Sequence, residues 1–91
     1  MSRVHYRAEF LKRIEQEVFY KYCPDTIEQK GVWGEFKFNL ENWQPIITLR
    51  AEPTGIIVVY VDEHCVHSLT SKIRKYFEEY NELPNDVLWI A

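Results

Sequence analysis

Hydrophobic and polar positions change beat twice along this chain. From Arg3 to Tyr22, the residues Val4, Ala8, Leu11, Ile14, Val18 and Tyr22 recur every three or four positions. That spacing lines one face of a helix. Phe10 borders the stripe, Glu9, Lys12, Arg13, Gln16 and Glu17 fall mostly outside it, and Tyr6 and Tyr20 stand roughly opposite. Pro24 ends the segment, because a residue before proline is disfavoured in the helical region.

From Val32 to Leu40 the beat shortens to two. Val32, Gly34, Phe36, Phe38 and Leu40 fall on one side, and Trp33, Glu35, Lys37 and Asn39 on the other. This predicts a half-buried strand with a wet face. Glu41 to Pro45 reads as a turn. Ile46 to Glu52 reads as a second strand, closed by the reverse turn of Pro53, Thr54 and Gly55. Ile56 to Val61 reads as a third strand, apolar on both faces apart from the Tyr60 hydroxyl and so covered on two sides.

After Asp62, a candidate N-cap with Glu63 beside it, the longer beat returns. Val66, Leu69, Ile73, Tyr76, Phe77 and Tyr80 form its apolar side, and Lys72, Arg74, Lys75, Glu78 and Glu79 its outer side. The chain closes on five apolar residues, Val87 to Ala91. The prediction is a single α+β domain over residues 1–91, a two-layer sandwich of order α-β-β-β-α-(β). An antiparallel three-stranded meander carries two helices on one face, and a short strand follows at the C-terminus.

A chain of 91 residues is one domain with a thin core. Its 3 Trp, 6 Tyr and 5 Phe supply the bulk that such a core needs. The net charge of -3, with 14 acidic and 11 basic residues interleaved, lacks the basic footprint of a nucleic-acid binder. No apolar run approaches the ~20 residues that span a bilayer, so no membrane contact is expected. The charged start, Met1 to Arg7, has no apolar leader core. Two cysteines in such a chain are expected to be reduced thiols in the cytoplasm.

Candidate chemistry is sparse. His64, Cys65 and His67, with Cys23, form a set that zinc accepts. The adjacency of His64 and Cys65 breaks the usual paired ligand spacing, so neither metal nor cofactor is expected. Cys65 between two histidines near a helix start also suggests an activated thiol, since that position lowers a thiol pKa. Catalytic partners, however, are neighbours in space rather than in sequence. Asp62-Glu63 and Glu78-Glu79 read as helix-end and solvated charge. Gly31, Gly34 and Gly55 form no phosphate-binding loop.

The predicted order of helix, three strands and helix resembles that of double-stranded RNA-binding domains. The resemblance implies contact with duplex RNA through a lysine cluster opening the second helix. Here that helix opens on Asp62, Glu63, His64 and Cys65, and its cations come later, so nucleic acid stands as the alternative partner. A small thiol or metal-dependent enzyme is a further alternative. The leading expectation is a non-enzymatic protein-binding module: a regulator, inhibitor or adaptor that occupies the surface of another protein. Trp33, Glu35, Lys37 and Trp43 are the expected contact face, with Tyr6 and Tyr20 as a second candidate. Residues 87–91 are expected to pair within their own sheet; failing that, they add to a second copy and make a homodimer.

Overall fold

The structure, a computed structural model, describes residues 5–24, 33–51 and 60–90. Five strands and one helix account for most of them: β1 (His5–Ile14), β2 (Glu17–Cys23), β3 (Gly34–Asn39), β4 (Ile46–Leu49), α1 (Tyr60–Tyr80) and β5 (Asp86–Ile90). The strands form one sheet of order β4-β3-β2-β1-β5, with every neighbouring pair antiparallel. The α+β class and the antiparallel sheet are therefore as expected, and so is a strand at the C-terminus.

The first segment is the main correction. Residues 5–23 form the β1–β2 hairpin, not a helix, and α1 is the only helix among the described residues. A spacing of four is also a multiple of two, so Val18 and Tyr22 share a strand face as readily as a helix face, and the hairpin register sets Ala8 opposite Tyr22 on it. The β reading wins because it also gathers Tyr6 and Tyr20 onto that buried face, which a helix would leave outside. The two exceptions, Leu11 and Ile14, are 42% and 54% exposed. Leu11 falls at a break in the β1–β2 register between Phe10 and Lys12, where a bulge turns it out of the alternation. The connection between the strands is only Glu15 and Gln16, with Glu15 at a φ of 54°. The α-β-β-β-α order shared with double-stranded RNA-binding domains does not hold, since the described order begins with two strands.

β3 and β4 lie where the two-beat placed strands, and Gly34, Phe36 and Phe38 are buried as expected. The turn between them is built from asparagines. Asn39 accepts on its backbone carbonyl from the Trp43 N–H at 2.8 Å and on Oδ1 from the Glu41 N–H at 2.8 Å. The expected third strand, Ile56 to Val61, falls outside the described residues up to position 59. Tyr60 and Val61 open α1 instead of closing a strand. Asp62 thus sits inside the first helical turn and is not the residue preceding it. The helix ends at Asn81, whose φ of 56° is the left-handed cap that asparagine tolerates, and its N–H reaches the Phe77 carbonyl at 2.8 Å.

α1 lays Cys65, Val66, Leu69 and Ile73 on one face of the sheet, and all four are fully buried. The sheet answers with aromatic rings. Tyr20 lies 5.9 Å from both Phe36 and Phe38 in stacked arrangements, and Phe10 meets it edge-on at 5.6 Å. The Tyr20 hydroxyl donates to the Pro84 carbonyl at 2.7 Å, so the deepest ring leaves no polar group unsatisfied. No described helix is long and apolar enough to cross a membrane.

Gly34 is required by this packing. A Cβ there would fall 2.3 Å from the ring of Tyr22, its partner across the β2–β3 ladder. Gly34→Ala is expected to destabilise the domain by about 1–3 kcal/mol, the usual cost of overfilling a closed core. Urea unfolding monitored by tryptophan fluorescence measures it, and an unchanged midpoint would contradict the register.

Candidate functional site

Since α1 covers one face, the register decides which side chains stand on the other. Two rows cross that face. The first runs Leu49, Glu35, Lys21, Glu9 and Asp86 from β4 to β5; the second runs Ile46, Lys37, Phe19 and Lys12. Opposite charges meet along them. Lys21 Nζ lies 3.1 Å from Glu9, Arg7 lies 2.8 Å from Asp86 and 3.5 Å from Glu9, and Lys37 lies 3.6 Å from Glu17. Such exposed pairs contribute little stability, ~0–1 kcal/mol each. Their effect here is to hold long side chains in place. Two of the lysines also cover rings: Lys21 stands 5.0 Å over Trp33 and Lys12 stands 4.9 Å over Phe19. Both rings are half-buried. At the edges the face turns aliphatic, with Ile46 and Leu49 on β4 and Leu88 and Ile90 on β5 all exposed.

The expected contact residues divide between the two faces. Trp33, Glu35 and Lys37 stand together on the open face. Trp43 does not join them. It lies on the helix side, half-buried, 5.0 Å from Phe38 and 5.6 Å from Phe77, with the Arg74 guanidinium 5.8 Å over its ring. Its φ of 57° swings it back under α1 from the β3–β4 turn. Tyr6 and Tyr20 are likewise not surface residues: they are 4% and 0% exposed on the covered face. The residues missed in the sequence are Phe19 and Lys21. Their signal is the alternation of Val18, Phe19, Tyr20, Lys21 and Tyr22, which places Phe19 and Lys21 together once the segment is a strand.

Beside α1 a second cluster forms. Tyr6 stacks on Trp89 at 4.9 Å, and His64 meets both rings edge-on at 5.7 and 5.8 Å. The Tyr6 hydroxyl and His64 Nδ1 are 2.8 Å apart, a hydrogen bond whose direction follows the imidazole tautomer. Burial, with Cys65 nearby, pushes the Tyr6 hydroxyl above its ordinary range. Near the start of α1, Arg50 reaches Asp62 at 3.4 Å and Glu63 at 2.8 Å. Two grooves flank the helix. One, of about 320 Å³, lies against β5 between Ser68, Lys72, Lys75 and Trp89. The other, of about 200 Å³, lies between His67, Thr70 and Arg74 and the Trp43–Pro45 turn.

Cys65 is fully buried, while His64 and His67 on either side of it are exposed. Among the described residues no three of His, Cys, Asp and Glu come close enough to share a metal ion. The helix-start position does not activate the thiol. Burial, then the Asp62 carboxylate and Cys23, push its pKa well up, so it stays protonated and shielded. Burial likewise raises the hydroxyls of Tyr20 and Tyr22, although the Ala51 N–H that Tyr22 accepts at 3.3 Å pulls the other way.

These three groups set an alkaline limit on the fold. Each stays neutral in the folded chain but ionises at its ordinary pKa once unfolded, 9.0 for the cysteine and 10.0 for the tyrosines. Above those values the unfolded chain sheds protons that the folded chain keeps, so stability present at lower pH is lost as pH rises. Tm is expected to fall above about pH 9, and Tyr20→Phe to fall less steeply above about pH 10. A Tm that held level to about pH 11 would contradict this burial. Comparison with family models, with curated proteins and with solved structures finds no match.

Proposed function

We propose that this chain is a small non-enzymatic protein-binding module that occupies a partner's surface through the sheet face away from α1. The contact centres on Trp33, Glu35 and Lys37, joined by Phe19 and Lys21. The observation that supports this reading is the pre-set order of that face. Long cationic side chains are held over flat rings and against carboxylates before any partner arrives. Ordering such side chains on binding costs about 0.5–1.5 kcal/mol each, and here part of that cost is met in the free chain. An aromatic centre with charges around it is also the composition that carries binding energy at protein interfaces. A regulator, inhibitor or adaptor works through such a surface without chemistry of its own. The shielded Cys65 thiol agrees with that role.

The test is site-specific photo-crosslinking in lysate from the native host. A benzoyl-phenylalanine probe at position 35, on the open face, is compared with one at position 79 on the exposed back of α1. A discrete adduct is expected from position 35 and not from 79. Trp33→Ala should weaken its capture by about 30-fold, the equivalent of about 2 kcal/mol for one aromatic anchor. Equal adducts from both positions, or full capture by a folded Trp33→Ala variant, would overturn the proposal.

A further inference from the structure

The β5 edge carries a second surface, independent of the open-face reading. In the β1–β5 ladder the Phe10 N–H donates to the Asn85 carbonyl at 2.9 Å, which fixes the alternation of the strand that follows. Val87 and Trp89 turn their N–H and C=O groups towards β1. Asp86, Leu88 and Ile90 turn theirs outward, along an edge with no strand beside it among the described residues. Lys72 Nζ donates to the outward carbonyl of Leu88. It stands where the N–H of an added strand would stand.

We infer that this edge is the docking site for an extended segment of a partner protein in which acidic side chains alternate with apolar ones. An added strand sends alternate side chains to the two faces of the sheet. On the helix side they enter the groove of about 320 Å³ lined by Ser68, Ser71, Lys72, Lys75, Trp89 and Ile90. Beside the apolar Trp89 and Ile90, the groove offers two ammonium groups and two hydroxyls and, among the described residues, no carboxylate, so its polar side matches glutamate or aspartate. On the open side the alternate residues lie beside Leu88 and Ile90, 44% and 50% exposed, which matches aliphatic side chains. Lys72 then serves twice. It satisfies the Leu88 carbonyl in the free chain, and it turns to a partner carboxylate once a backbone N–H takes over that carbonyl.

Charge also decides against a second copy as occupant. The longest antiparallel β5–β5 pairing is the one centred on Leu88, the middle of the three outward-facing residues. In that pairing Lys72 and Lys75 of both copies would crowd the two-fold axis with no acid between them among the described residues. The homodimer expected as the alternative use of residues 87–91 is therefore the poorer fit to this edge.

The intact chain, isotopically labelled, is titrated in an NMR experiment with a blocked peptide of alternating valine and glutamate, and with its valine–lysine counterpart. The glutamate peptide is expected to give saturable shifts at the Leu88 and Ile90 amides and along Ser68, Ser71, Lys72 and Lys75. The lysine peptide should bind roughly tenfold more weakly. The double variant Lys72→Glu, Lys75→Glu should reverse that preference. Absence of shifts at Leu88 and Ile90, equal binding of the two peptides, or shifts confined to the surroundings of Trp33 would overturn the inference. So would sedimentation showing that the free chain already dimerises through this edge. The proposed role of the open face would survive each of these results, and shifts around Trp33 would favour it.

Discussion

The fold depends on one ring and its hydroxyl. Tyr20 sits on the central strand, wholly buried, with Phe10, Phe36 and Phe38 around it and its O–H on the Pro84 carbonyl. Burying a tyrosine is favourable only if the hydroxyl finds a partner, since an unsatisfied one costs about 1–3 kcal/mol. That partner lies in the connection between α1 and β5. That hydrogen bond links the middle strand of the sheet to the turn that returns the chain to its edge. With the turn held there, β5 can lie antiparallel beside β1, and α1 is drawn across the rings.

One helix covers one face of the five strands, and no other described element covers the second. In a larger domain a second layer would cover it. Here the register writes charges across the middle of the open face and aliphatic side chains at its rims, and the rings of Trp33 and Phe19 lie beneath lysines. The same economy leaves β5 as an edge, partly capped by Lys72. The two proposed surfaces follow from one architectural fact: among the described residues, a thin core is sealed by aromatic residues on one side only. The chemistry that reads as catalytic in the chain, Cys65 between histidines, is spent instead on packing, with the thiol turned into the core.

Residues 34–39 and 62–80 were legible because their periods are unambiguous. Phe36 and Phe38 alternate with Glu35 and Lys37, and Leu69 and Ile73 return at four among charged neighbours. Both segments are what those patterns predict. Residues 5–23 were not, because Ala8, Val18 and Tyr22 stand at even spacings that fit a two-beat as well as the three-and-four beat of a helix. A hairpin closed by Glu15 and Gln16 also carries none of the glycine or asparagine that marks most two-residue turns. Tertiary context broke the tie, through Tyr6 and Tyr20, which only a strand turns inward. The contact residues followed the elements that carry them. Trp33, Glu35 and Lys37 sit where a wet strand face puts them. Trp43 was displaced to the other layer by a left-handed backbone residue that no pattern of polarity encodes.

Amide hydrogen exchange tests the central claim most directly. If β2 is the middle strand and Tyr20 its anchor, β2 amides are bonded to β1 on one side or to β3 on the other. Those of Val18 through Tyr22 should then exchange most slowly of all, at the rate of global unfolding. Slowest exchange confined to α1, with residues 17–23 exchanging quickly, would contradict a fold organised on that strand.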